Sequence, residues 1–298
     1  AAKKGWKELL SLNGNLTAAY TGLGKIYLGE KNYSGALKCF SAARDRDNYS
    51  VAFSKQRTAF LNRMFILIPI AAAALLSALV FLFGRLARYN AAKRTGTLSE
   101  LAYGQYIIFH PFDGFWDARR ENRGSPLAAG IFMLAAALCT VFQIKISGMV
   151  SGTGKYVSFL LIAAVFLGAL AVFCISNRCI TSLSDGKGSF ADIFTVAGYS
   201  VIPIILTSSA ATLLSAFLSG NESGIITVLL YFGYIWTVFL LFSGILTVHQ
   251  YGFFKNICSM LLTVIGMAVI VFLIFLLINL LGRIFNFADS IITELRLR

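Results

Sequence analysis

Charge is the scarce ingredient of this chain. Only 13% of its 298 residues are Asp, Glu, Lys or Arg, against about 25% in a typical soluble domain. Long stretches carry none, 57% of the chain is hydrophobic, and the mean hydropathy is +0.75. That balance excludes an ordinary soluble enzyme and implies a membrane protein. Sustained apolar–polar alternation is also missing, which excludes a barrel and leaves helices as the spanning elements. Histidine is nearly absent. His110 and His249 stand far apart without Cys or carboxylates at ligand spacing, so neither a zinc site nor a nucleophile–base pair is supported. The five cysteines, Cys39, Cys139, Cys174, Cys179 and Cys258, show no metal spacing and read as small apolar residues of a bundle. The apolar runs hold no Asp or Glu, which removes the usual machinery of pumps and proton-coupled carriers. No cofactor is indicated. The net charge of +13 is not a nucleic-acid signal, because Lys and Arg gather where apolar runs end.

What the chain does have is six apolar runs, near residues 64–84, 126–144, 157–176, 193–218, 225–248 and 257–281. Each is long enough to cross about 30 Å of hydrocarbon as a helix. The expected fold is all-α and polytopic, with six transmembrane helices. A head (1–60) leads into a first span (61–84), a loop (85–125), a five-span domain (126–283) and a tail (284–298). The loop 85–125 carries seven basic residues, namely Arg85, Arg88, Lys93, Arg94, Arg119, Arg120 and Arg123. That density places it in the cytoplasm. Six spans return the chain to its starting side, so both head and tail are expected to be extracytoplasmic.

In the head, Tyr20, Leu23, Gly24, Tyr27, Ala36, Phe40 and Ala43 follow one another at tetratricopeptide-repeat spacing. The head resembles that repeat at each key position up to its final proline, where Asn48 stands. Tyr20, Leu23 and Tyr27 make one apolar stripe, and Ala36, Phe40 and Ala43 make the facing one. Ala2, Trp6 and Leu9 fit the second helix of a preceding repeat. Such repeats need neighbours, and the chain opens without an initiating Met, so more repeats are expected upstream. The resemblance implies an arm that binds an extracytoplasmic protein, with Tyr20, Leu23, Tyr27 and Phe40 as its candidate residues. After Asn48, placed to cap the next helix, the chain reads as one unbroken helix into the membrane.

Pro111 can open a helix on which Phe112, Phe115, Trp116 and Arg119 share a face. That pattern predicts a membrane-surface helix on the inner leaflet; a partner-binding helix is the alternative. Ser125 and Pro126 form a cap and first-turn pair for the second span. Between the third and fourth runs lies a polar connector, 182–189, containing Gly186-Lys187-Gly188-Ser189. A phosphate loop needs two glycines bracketing four residues, then Lys and Ser or Thr, after a strand. Here the bracket is missing and a transmembrane helix precedes. The local reading is a tight turn at Gly186 and Gly188, a headgroup anchor at Lys187, and a capping pair of Ser189 with Asp192. Pro203 should bend the helix that follows. The small-residue pairs Ala73/Ser77, Ala164/Gly168 and Ala211/Ser215 are spaced for helix packing. Thr207, Ser208, Ser209, Thr212 and Ser215 give the fourth span a polar flank, read as interhelical hydrogen bonding, with a lined pathway as the alternative.

Gly186-Lys187-Gly188-Ser189-Phe190, Tyr199-Ser200 and Ile202-Pro203 resemble the central signature of the Yip (Ypt-interacting protein) domain in its bacterial form. His110-Pro111 with Phe115, Trp236, and Val248-His249 followed by Lys255 extend the likeness over about residues 100 to 283. The resemblance implies five spans, a cytoplasmic N-terminal segment and no catalysis. Eukaryotic members of the family are trafficking partners of small GTPases and carry an acidic N-terminal segment that differs from this one. Some bacterial members lie beside sugar importers. The expected function is a non-catalytic scaffold or accessory subunit in a bacterial cytoplasmic membrane. Its expected partners are lipid and other membrane subunits, ABC permeases among them. A stand-alone transporter or channel using the polar flank is the competing class.

Overall fold

The computed structural model describes residues 2–64, 67–91, 96–146 and 158–297. No strand occurs among them; the chain is helical almost throughout. It divides into two compact units, each assembled from separate stretches. One comprises Ala1–Lys93, Leu138–Phe159 and Pro203–Trp236; the other comprises Arg94–Ala137, Leu160–Ile202 and Thr237–Arg298.

The first unit holds the head, with helices α1 (Ala2–Leu12), α2 (Thr17–Gly29), α3 (Tyr33–Ala43) and α4 (Arg46–Arg63). Helices α2 and α3 form a hairpin that turns through Lys31 in the left-handed region (φ 60°). The Asn32 side chain caps α3 by accepting from the Gly35 N–H at 3.0 Å. Gly24 admits the Phe40 ring, since a Cβ there would lie 2.5 Å from it. Ala36, Phe40 and Ala52 are fully buried and form the core of this hairpin and α4. Asp45, rather than Asn48, caps α4: its carboxylate accepts from the Asn48 N–H at 3.2 Å and from Asn48 Nδ2 at 2.8 Å. Helix α4 closes at Arg63 with Met64 as its cap. The uninterrupted helix expected here therefore ends one residue before residues 65–66, which lie outside the described residues.

Among the described residues, five helical stretches are long and apolar enough to cross a membrane: Pro126–Ile146, Phe159–Leu183, Phe190–Ser215, Ser223–His249 and Phe253–Phe287. They fall on the last five expected runs. The run 64–84 includes residues outside the description; from Leu67 it is helix α5 (Leu67–Ala91). Between α5 and the first of the five lie two short helices, α6 (Thr97–Phe109) and α7 (Pro111–Arg120). The spans themselves are α8 (Pro126–Ile146), α9 (Phe159–Leu183), α10 (Phe190–Ser200) with α11 (Ile202–Ser215), α12 (Ser223–His249) and α13 (Phe253–Leu297). The fourth expected run is broken at Val201, two residues before Pro203. Pro203 has no N–H to offer the Tyr199 carbonyl one turn back, so it sits in the first turn of a new helix. Of the small-residue pairs, Ala211 and Ser215 are buried, whereas Ala164 and Gly168 are exposed; the side chain of Ala73, paired with Ser77, lies outside the description. Large apolar side chains on the spans, such as Leu138, Val165, Val238 and Phe272, are exposed as well. Such surfaces suit hydrocarbon and not water.

Candidate functional site

The polar connector of the second unit is heavily cross-linked. It leaves the end of α9 through Asp185, whose φ of 54° is left-handed. The Gly186 N–H returns to the Thr181 carbonyl at 2.8 Å, a helix-closing bond of Schellman type. Neither Gly186 nor Gly188 has a positive φ, so the turn itself does not demand glycine. The residues following α12 press against them instead. A Cβ on Gly186 would lie 2.5 Å from His249 Nδ1 and 2.6 Å from the Tyr251 hydroxyl; one on Gly188 would lie 2.6 Å from Val248.

Hydrogen bonds close the same gap. The Gly188 N–H donates to His249 Nδ1 at 3.2 Å. Ser184 Oγ and the Tyr251 hydroxyl are 2.8 Å apart, and Tyr251 stacks on the His249 ring at 5.2 Å. Lys187 Nζ donates to Gln250 Oε1 at 2.9 Å, while Lys255 lies over the Tyr251 ring at 4.7 Å. Ser189 caps α10 as its spacing indicates. Its hydroxyl accepts from the Asp192 N–H at 3.2 Å, and its own N–H donates to the Asp192 carboxylate at 2.8 Å.

Two arginines complete the arrangement. Arg119, at the end of α7, donates one guanidinium nitrogen to the Val248 carbonyl and another to the Lys187 carbonyl, the latter at 2.6 Å. Its Nε pairs with Asp192 at 3.3 Å. Arg178 of α9 donates to the Gly188 carbonyl at 3.0 Å. A cavity of about 150 Å³ lies beside this brace, with Phe115, Arg119, Gly124, Asp192 and Val248 among its walls. A phosphate cradle needs free loop N–H groups and free cations. In this loop the N–H groups of Gly186, Gly188 and Ser189 meet protein acceptors, and both arginines hold backbone carbonyls.

The expected surface helix divides into two faces. Phe115 is buried against Gly244 and Val196, and Arg119 enters the brace. Phe112 and Trp116 are about half exposed, and Arg120 stacks over Trp116 at 5.0 Å. The shared face of four residues is therefore rotated: Gly114, Phe115 and Ala118 form the buried stripe. Tyr199 donates its hydroxyl to the Glu100 carbonyl at 2.9 Å. Tyr103, held against Asp117 at 3.1 Å, has its phenol pushed upward by burial. Ser125 caps α8, accepting from the Ala128 N–H at 3.2 Å.

In the head, Leu23 and Phe40 are taken up by the hairpin core, while Tyr20 and Tyr27 keep part of their surface. Lys3 lies 4.4 Å above the Tyr27 ring. A second polar junction, absent from the sequence reading, joins α4 to the 3-10 turn Gly220–Glu222 within the first unit. Arg57 grips the Glu222 carboxylate with two nitrogens, at 2.5 and 2.9 Å, and reaches the Phe217 carbonyl at 2.9 Å. The Gly220 N–H donates to Ser50 Oγ at 3.1 Å. Arg57 and Glu222 are 165 residues apart, and no local spacing rule connects them.

A helical chain whose described residues include five apolar spans, joined by short polar connectors that brace one helix end against another, is a polytopic membrane protein. Residues 105–257, which contain the whole connector brace, match the family model of the Yip1 domain. The match covers more than half of the chain, and the chain belongs to the Yip1 domain family. Comparison with curated proteins and with solved structures gives no match.

Proposed function

We propose that this protein is a non-catalytic membrane scaffold or accessory subunit that docks on another membrane complex. The observation that carries the reading is the connector brace. Its two arginines and the N–H groups of Gly186, Gly188 and Ser189 are engaged in holding α7, α9, α10 and the end of α12 together, so they form a rigid frame in place of a reactive pocket. Phe112 and Trp116 remain exposed beside that frame, on a helix suited to lie at the inner leaflet. The seven basic residues of 85–125 support a cytoplasmic placement for the brace. The head is then an extracytoplasmic arm of tetratricopeptide type, with Tyr20 and Tyr27 as its remaining accessible contact residues. The repeat head favours a bacterial cytoplasmic membrane, and an ABC-type importer of sugars is the partner complex that fits the family likeness best.

The hydroxyls of the expected polar flank weigh against the stand-alone transporter. Thr207 donates to the Pro203 carbonyl at 2.9 Å, Thr212 to Ser208 at 2.8 Å and Ser215 to Thr212 at 2.7 Å. These three are turned onto their own helix and not toward a path, and Ser209 Oγ reaches Cys139 Sγ of α8 at 3.5 Å. Purification from native membranes in mild detergent, with mass spectrometry of the bound subunits, tests the scaffold. Permease subunits in fixed ratio are the expected result. A strictly solitary chain that supports solute uptake in liposomes would replace the scaffold with the transporter.

A further inference from the structure

Beneath the connector lies a buried polar seam that meets the brace only at Thr181 and His249 and that the scaffold reading does not use. It runs between α9 and the first turns of α13. Asn177 Nδ2 donates to Thr263 Oγ1 at 3.0 Å, Ser176 Oγ donates to the Thr263 carbonyl at 2.7 Å, and Thr263 Oγ1 donates to the Ser259 carbonyl at 2.8 Å. Asn256, one turn before Ser259, donates its Nδ2 to the Phe242 carbonyl at 2.9 Å. Thr181, one turn after Asn177, donates to the Asn177 carbonyl at 2.7 Å. Thr181 and His249 both border Gly186, which places the connector at the mouth of the seam. Asn177, Asn256, Ser259 and His249 are each at most 3% exposed.

Three atoms of this seam, Asn177 Oδ1, Asn256 Oδ1 and Ser259 Oγ, and His249 Nε2 at its mouth have no hydrogen-bond partner among the described residues. Their chemistry is specific. Each asparagine spends one N–H of its NH2 group on a protein bond and leaves its carbonyl oxygen as a bare acceptor. His249 Nδ1 accepts from Gly188 and is therefore unprotonated, so Nε2 carries the hydrogen and is a bare donor. Ser259 can do either. Lipid offers nothing to such atoms, and buried polar groups are otherwise paired. The set mixes acceptors with a donor and contains no carboxylate and no free cation. The His249 donor opposes a metal ion or alkali cation, and the asparagine oxygens oppose an anion. Water, with two donors and two acceptors, matches all of them.

We infer that the α9–α13 seam is an internal hydration site, holding ordered water under the Gly186–Gly188 cap. The connector then has a wet underside, and water reaches the seam from the connector side. This inference is independent of the scaffold reading.

Water-edited solid-state NMR of the full chain in lipid bilayers tests it. The side-chain signals of Asn177 and Asn256 should receive water magnetisation about as fast as exposed loop residues. Build-up as slow as that of the exposed apolar side chains Leu261 and Ile265 would overturn the inference. Ser259→Ala supplies a second measurement that needs no large repacking. A hydrated Ser259 makes the variant less thermostable. An unchanged or raised Tm would mean that a dry, unpartnered hydroxyl had been removed, and would overturn it as well. Exchanging Na+ for K+ should leave Tm unchanged; a rise specific to one cation would assign the seam to that ion and refute the water assignment.

Discussion

Replacing Arg119 with Met is the sharpest perturbation of the connector brace. The guanidinium donates to two backbone carbonyls, those of Val248 and Lys187, and pairs with Asp192. A hydrogen bond to a charged group contributes about 1.5–3 kcal/mol. The side chain is 24% exposed, so the lower end applies, and the two carbonyl bonds together are worth about 3 kcal/mol. For a domain of this size that corresponds to a fall in Tm of roughly 6–12 °C. Arg119→Lys should lie between Met and the parent, because one ammonium cannot reproduce the two-pronged fork. Lys187→Met is the control. Its bond to Gln250 is exposed, so its loss should stay within about 0.5 kcal/mol. Thermal unfolding in detergent, followed by tryptophan fluorescence, gives the order. An unchanged Tm in Arg119→Met, or an equal loss in Lys187→Met, would refute the brace.

Two further outcomes follow from close contacts. Gly188→Ala should cost about 1–3 kcal/mol, because its Cβ would lie 2.6 Å from Val248 and 2.8 Å from His249 Cε1; a neutral substitution, read by the same unfolding assay, would contradict that packing. In the first unit, Arg57 holds the Glu222 carboxyl down at about 2 from its usual 4.5. A depressed carboxyl stabilises the folded form fully above about pH 4.5 and loses that contribution as pH falls toward 2. Hydrogen exchange in the last turns of α4 should therefore stay slow at pH 5 and quicken toward pH 2, with Glu222→Gln abolishing the trend. Loss of protection centred above pH 5 would contradict the pairing.

The apolar spans could be read directly from the chain, because length and hydropathy alone decide whether a helix can cross hydrocarbon. Caps were legible where donor and acceptor are neighbours in sequence. Ser189 with Asp192 and Ser125 before α8 behave as their spacing indicates. Asn48 was misassigned because Asp45 lies within the same turn and its carboxylate is the stronger acceptor, with Asn48 itself as a donor to it. Gly186 and Gly188 were visible as glycines, but the reason for them was not. The tight turn expected there depends on backbone angles, whereas the actual demand is room for His249 and Tyr251, about sixty residues on. Arg119 shows the same limit. Helical periodicity places it beside Phe112, Phe115 and Trp116, but cannot foresee that a rotated buried stripe turns it toward carbonyls 68 and 129 residues away. The Arg57–Glu222 junction was hidden for the same reason.

A structural brace at Gly186-Lys187-Gly188-Ser189 has no use for a nucleotide. Calorimetric titration of the full chain in lipid nanodiscs with Mg–ATP and Mg–GTP tests it most directly. No saturable binding is expected up to about millimolar nucleotide, in a range where a dedicated phosphate site would already be filled. A saturable site that disappears in Lys187→Met would contradict it.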